Sequence, residues 1–96
     1  MKIELKKFGT TLISRQAGRE ASAAFNPSLE DVKKNESVEV DFDGVNTFSP
    51  SWGDEFLHPL QKRFGKKLFL INTKNLSVKV TLELLEEVNK TKFNIS

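Results

Sequence analysis

Small hydroxyl and acidic side chains are concentrated in one short stretch near the middle of the chain, from Ser49 to Glu55. Ser49 and Ser51 flank Pro50, and Asp54 and Glu55 follow within one helical turn. Serine oxygens at a helix start accept hydrogen bonds from backbone N–H groups that lack partners, and acidic side chains favour the positive end of a helix. Either serine could also carry a phosphate there. This stretch is the strongest candidate for a functional site.

The sequence allows two ways of capping this helix. Ser51 lies three residues before Asp54, which is close to the spacing of a capping box. Ser49 could instead be the cap, with Pro50 at the first helical position, where a missing N–H costs nothing. A phosphate on Ser51 or Ser49 would suit the helix N-terminus, although beside Ser51 the acids Asp54 and Glu55 would repel it. We favour capping over phosphorylation, and the choice of capping serine stays open.

Trp52 also has two interpretations. Its spacing of four from Phe56 favours burial on the inner side of a helix. A tryptophan in the first turn could alternatively project outward and anchor a protein partner.

The sequence gives only weak support to catalysis, cofactor binding and metal binding. The chain has no cysteine and one histidine, and no nucleophile has a histidine partner at a motif spacing, so we expect no enzyme and no cofactor. The acids Asp41, Asp43, Asp54 and Glu55 could gather around a magnesium ion, but strand alternation and the helix dipole explain them without one. We expect no metal site.

The densest basic patch, from Lys62 to Lys67, follows at the predicted end of the same helix and also includes Arg63 and Lys66. Cations at a helix C-terminus offset the negative end of its dipole. The alternative is a nucleic-acid site, but the nearby Phe64 and Phe69 fall on predicted core positions and are not free to stack on bases. Nucleic acid is therefore the second choice of partner.

Length and composition predict one domain over residues 1–96. The chain is 38% hydrophobic and 29% charged, with a net charge of +2. It has no apolar run near the length of a membrane span, and Lys2 and Glu4 interrupt what would have to be the apolar part of a signal peptide. We therefore expect a cytoplasmic protein.

Three strands are predicted by the apolar pattern. Alternation predicts strands over Lys2 to Phe8 and Ser37 to Asp43, and the uninterrupted apolar run Leu68 to Ile71 predicts an interior strand. Leu12 and Ile13 could form a further short strand or enter the first helix.

Three helices alternate with these strands. The first is predicted to start at the cap Ser14 and to end at Asn26, because the residue before Pro27 disfavours helical angles. The second runs from about Ser51 to Phe64, with a kink or break expected near Glu55 to His58 because of Pro59. The predicted inner residues are Ala17, Ala21, Ala24 and Phe25 in the first helix and Trp52, Phe56, Leu57, Leu60 and Phe64 in the second.

The last helix is expected to bring Val78, Leu82, Leu85 and Val88 onto one face, with a Glu86–Lys90 ion pair, before a frayed tail from Thr91. Alternating strands and helices predict an α/β domain whose strands are joined by right-handed crossovers. The loop after the Val38 to Phe42 strand should then open at the carboxyl end of the sheet, where open α/β folds bind ligands.

Several short motifs resemble the STAS-like domains of unknown function, relatives of the anti-sigma factor antagonists. The resemblance rests on Pro50-Ser51-Trp52-Gly53-Asp54-Glu55 after a strand ending in Asp41 to Val45, and on Phe8-Gly9 and Leu12-Ile13-Ser14-Arg15. It spans about the whole chain. One departure is that Pro50 occupies the place of the serine that the wider antagonist family phosphorylates.

The resemblance implies a single STAS-like α/β domain with a mixed or mostly parallel small sheet and helices mainly on one face. It also implies a non-enzymatic regulatory module that binds a protein, with a histidine-kinase-like ATPase as the candidate partner. The predicted partner-binding residues are Ser49, Ser51, Trp52, Asp54, Glu55 and Arg15. The last belongs to the Ser-Arg element, and the sequence alone does not place it beside the others.

Overall fold

The computed structural model describes residues 1–96, which form three α-helices and six short β-strands. The helices are α1 (Arg15–Leu29), α2 (Pro50–Phe64) and α3 (Leu76–Asn89). The strands are β1 (Lys2–Glu4), β2 (Thr11–Leu12), β3 (Val38–Asp41), β4 (Thr47–Phe48), β5 (Leu68–Ile71) and β6 (Asn94–Ile95). None of the helices combines the length and the apolar character needed to cross a membrane.

Four strands form one parallel sheet in the order β1-β3-β5-β6, so their order in space follows their order in the chain. Each crossover therefore steps in the same direction across the sheet. Since such crossovers are right-handed, they place their helices on the same face. The predicted α/β architecture, a small, mostly parallel sheet with helices mainly on one face, is confirmed.

A second parallel pair joins β2 to β4, with Leu12 opposite Phe48. The backbone N–H of Ser49 continues this pairing by donating to the carbonyl of Leu12 at 2.9 Å. Because β2 leads into α1 and β4 leads into α2, the pair holds the starts of both helices side by side.

The core lies between the sheet and the helices. Every second residue of β3 and β5 on the inner face is buried, and so is the inner stripe of α2. These residues are Val38, Val40, Leu68, Leu70, Trp52, Phe56, Leu57 and Leu60. The predicted inner positions of α2 are confirmed, with Phe64 packed against the core at its edge.

α1 begins at the predicted cap but ends later than predicted. The predicted cap is confirmed, since the Ser14 hydroxyl accepts a hydrogen bond from the N–H of Ala17 at 3.0 Å. The helix does not stop before Pro27 but continues to Leu29. Pro27 removes the partner of the Ala23 carbonyl, but Ala23 is exposed to water, and the extension buries Leu29.

The inner face of α1 is also shifted from the predicted one. Ala21 is buried and Phe25 is half-buried, as expected, but Ala17 and Ala24 are exposed. Gly18 is buried in their place, because α1 meets α2 at this glycine.

α2 has no break at Pro59. The helix is continuous from Pro50 to Phe64, and Pro59 lies on its exposed side. The carbonyl of Glu55 loses its helical partner to Pro59, and Glu55 is only partly buried.

The end of the chain is not frayed. Asn94–Ile95 forms β6 beside β5, and the N–H of Ser96 donates to the carbonyl of Leu70 at 2.9 Å. Phe93, only 9% exposed, anchors this segment in the core. The Glu86 carboxylate accepts from the N–H of Phe93 at 2.9 Å and lies 3.9 Å from Lys92 Nζ, so the predicted pair with Lys90 is replaced by these contacts.

α3 buries three of its four predicted inner residues. Val78, Leu82 and Leu85 are buried, whereas Val88 is 65% exposed. The inner face of the helix is completed by Thr81, whose hydroxyl donates to the carbonyl of Phe48 at 2.6 Å. Thr81 thus takes an inner position of α3, and Val88 lies on the exposed side.

Candidate functional site

The first turn of α2 is capped by Ser49. Its hydroxyl accepts from the N–H of Trp52 at 3.2 Å and donates to the carbonyl of Ile13 at 2.6 Å. Pro50 takes the first helical position, where its missing N–H leaves no group unsatisfied. The open choice between the two serines is therefore settled for Ser49, and Ser51 is left free of the capping role.

Ser51 is half-buried within the first turn, and Asp54 does not reach back toward the cap as in a capping box. The Asp54 carboxylate instead accepts from Arg15 Nη1 at 3.1 Å. Residues three and four apart share one side of a helix, so Ser51 lies on the same side of α2 as Asp54 and Glu55. Ser51 therefore shares the side of α2 whose acids pair with α1.

Four charged residues form these ion pairs, and we call them the arginine–acid cluster: Arg15, Arg19, Asp54 and Glu55. Glu55 lies 3.7 Å from Arg15 and accepts from Arg19 Nε at 3.0 Å. The Arg15 and Arg19 side chains are 49% and 68% exposed, and those of Asp54 and Glu55 are 36% and 23% exposed. Ion pairs this exposed each contribute only about 0–1 kcal/mol to stability. The cluster is therefore able to exchange its partners at little cost to the fold.

Gly18 sets the distance between the two helices that hold the cluster. A Cβ atom at this position would come within 2.8 Å of the Trp52 carbonyl oxygen and 3.0 Å of its Cα. Only glycine allows this approach, which brings the arginines of α1 within reach of the acids of α2. Gly18 and the ion pairs of the arginine–acid cluster thus belong to the same contact between α1 and α2.

Trp52 does not project from this surface. Its side chain is 1% exposed and stacks on Phe56 with ring centroids 5.0 Å apart, in a cluster that also contains Phe8 and Phe48. The interpretation of Trp52 as an exposed anchor is wrong, because the same face of α2 that supplies Phe56 to the core carries the indole inward.

Of the predicted site residues, the structure brings Arg15, Asp54 and Glu55 into contact, and helix geometry puts Ser51 on the same side of α2 as the two acids. Ser49 lies at the base of the site as its cap. Arg19 was missed by the sequence analysis, although its spacing of four from Arg15 on a predicted helix was a usable signal.

The acids considered for a metal ion fall into two separate groups. Asp54 and Glu55 pair with the arginines of α1. Asp41 accepts from the N–H of Asp43 at 2.9 Å and lies 3.4 Å from Lys2. No group of three or more potential metal ligands forms.

The basic patch from Lys62 to Lys67 is partly used by the fold. Arg63 lies over the ring of Phe64 at 5.1 Å and donates to the carbonyl of Leu29. Lys67 donates to the carbonyl of Lys34 at 2.7 Å. These bonds tie the end of α2 to the segment after α1, and nucleic-acid binding through the patch stays a prediction.

Comparison with known families gives one match. Residues 27–81, more than half of the chain, match the family model described as a STAS-like domain of unknown function. The matched region includes β3, the capped start of α2 and the acids of the arginine–acid cluster, whereas the two arginines precede it. No match to a curated protein or to a solved structure was found.

Proposed function

The chain belongs to the STAS-like domains of unknown function, and we propose that it is a non-enzymatic regulatory module that binds another protein. The binding surface in this proposal is the arginine–acid cluster with Ser51 beside it. The observation that carries the proposal is the pairing of Arg15 with Asp54 at 3.1 Å between the starts of α1 and α2, with both side chains partly exposed.

The charges of this surface support a protein partner. Two cations and two anions lie within one patch, and each already has a partner of opposite sign. A protein that presents a similar mixture of charges exchanges internal pairs for intermolecular ones, which gives specificity and a fast association rate. The histidine-kinase-like ATPase implied by the family resemblance is the candidate partner.

Phosphorylation of Ser51 offers a way to regulate this surface. A phosphate there would add nearly two negative charges beside Asp54 and Glu55 and compete with them for Arg15 and Arg19. The guanidinium groups bind phosphate oxygens well, so the cluster would rearrange and the surface would become more acidic. The phosphorylated and unphosphorylated forms of the chain would therefore bind the partner protein with different affinities.

Ser51→Asp tests the proposal by adding a negative charge at this position. Isothermal titration with a purified histidine-kinase-like ATPase should show a dissociation constant raised at least roughly tenfold, because rim charges control such association. Ser28→Asp is the matched control, since Ser28 is an exposed serine at the other end of α1. It should change the dissociation constant by less than about twofold.

Circular dichroism melting should give the same transition for Ser51→Asp and the wild type, which separates loss of binding from loss of folding. Equal binding of the ATPase by both aspartate variants and the wild type would contradict the proposed surface.

A further inference from the structure

The outward face of α3 carries a row of four exposed aliphatic side chains spaced four residues apart. Leu76 is 75% exposed, Val80 55%, Leu84 41% and Val88 65%. Single exposed aliphatic residues are common, whereas a continuous row of them on one helix is typical of an interaction surface.

The row lies beside the face that α3 buries. Val78, Leu82 and Leu85 point into the domain, where α3 contacts α2 and β4. α2 lies between α1 and α3 in the helical layer, so α3 borders the layer and leaves its outward face accessible. The exposed row is therefore not needed for folding of the single chain.

Charged residues line this row on one side only. Lys79, Glu83 and Glu87 follow the same four-residue spacing and are all exposed. On the other side, the hydroxyls of Ser77 and Thr81 bond to the backbone of Phe48. The surface thus consists of an apolar row with one charged margin and one neutral margin.

We propose that this face of α3 binds the same face of a second copy of the chain in a two-fold symmetric dimer with antiparallel α3 helices. Rows of residues spaced by four pack into each other when helices cross at about −50°. A two-fold axis near the middle of α3 places Leu76 opposite Val88 of the second copy and Val80 opposite Leu84 of the second copy.

The charged margins favour this arrangement over a parallel one. In an antiparallel two-fold arrangement, the charged margins of the two copies lie on the same side of the interface. They run in opposite directions along it. Lys79 of each copy then faces Glu87 of the other, which gives two intermolecular ion pairs, while Glu83 faces its own equivalent. A parallel arrangement separates the charged margins and forms none of these pairs.

Reversing the charges of Lys79 and Glu87 tests the proposed dimer without changing the arginine–acid cluster. Sedimentation velocity of the wild-type chain over about 1–500 µM should show a monomer–dimer equilibrium. Lys79→Glu alone or Glu87→Lys alone should raise the dimer dissociation constant roughly tenfold, because each places like charges opposite each other. The double variant should return it to within about threefold of the wild type. Glu83→Gln should lower the dimer dissociation constant, because it removes the repulsion between Glu83 and its equivalent in the second copy.

Restoration by the double variant is diagnostic because residues 79 and 87 lie about 12 Å apart along one helix and do not pair within one chain. Lys62→Glu, an exposed lysine on α2, should leave dimerisation unchanged. A wild-type chain that stays monomeric throughout, or a dimer whose dissociation constant the double variant does not restore, would overturn the proposal.

Discussion

Asp41 is the most deeply buried acid of the chain, with 6% of the residue exposed at the end of β3. Burial raises the pKa of its carboxyl, but hydrogen bonds from Asn72 Nδ2 at 2.8 Å and from the N–H of Asp43, together with Lys2, outweigh it. The pKa is therefore lowered from its ordinary value of 3.8. Asn72 follows β5 in a left-handed conformation with φ of 57°, so the carboxylate joins the ends of two neighbouring strands.

This residue predicts a pH-dependent stability. Because the pKa of Asp41 is lower in the folded chain, its stabilisation is present above the ordinary value of 3.8 and is lost as pH falls through the lowered pKa. Asp41→Asn should lower the free energy of unfolding at pH ~7, and its difference from the wild type should shrink at pH ~2. Urea unfolding at both pH values measures this. A difference that stays constant with pH would show that the charge of Asp41 contributes nothing.

Contacts between residues close in the chain could be predicted from the sequence. The Ser14 cap and the two candidate caps of α2 depend on neighbours within one turn. The hydrogen bond of Asn72 to Asp41 spans 31 residues and could not be predicted, because it depends on the pairing of β3 with β5. The burial of Trp52 was favoured by its spacing from Phe56.

At the scale of elements, the contact between α1 and α2 depends on Gly18. Helix propensity alone predicts that Gly18→Ala stabilises the chain by about 1 kcal/mol. The Trp52 backbone within 3.0 Å of the added Cβ predicts the opposite, a loss of roughly 1–3 kcal/mol, because backbone atoms do not move aside. Thermal unfolding with Ala17→Gly as control, an exposed neighbour that should cost about 1 kcal/mol, distinguishes the two. An increased melting temperature for Gly18→Ala would contradict the close contact.

The ends of the elements were the least predictable part. Pro27 was expected to stop α1 and Pro59 to kink or break α2, yet both helices continue past their prolines, which lie on exposed sides. The strand β6 has only two residues and depends on Phe93 being held in the core. Such effects arise from the packed structure and leave no local pattern in the sequence.

At the scale of the whole molecule, the alternation of strands and helices was enough to predict the α/β class. The consecutive strand order then explains why the helices share one face of the sheet. The arginine–acid cluster could be predicted only in part, since Arg15 and Asp54 are 39 residues apart and meet because β2 pairs with β4. Arg15, Asp54 and Glu55 were predicted as site residues, but the sequence alone did not show that they lie together.

In the proposed function, the arginine–acid cluster binds a protein partner and is more than an internal contact between α1 and α2. Arg15→Asp combined with Asp54→Arg tests this directly, because the swap keeps opposite charges at positions 15 and 54 and reverses two of the four charges that a partner meets. We predict an unchanged thermal unfolding transition and a dissociation constant for the histidine-kinase-like ATPase raised at least roughly tenfold in isothermal titration. Wild-type affinity in the swapped variant would contradict the claim and would leave the cluster as an internal contact only.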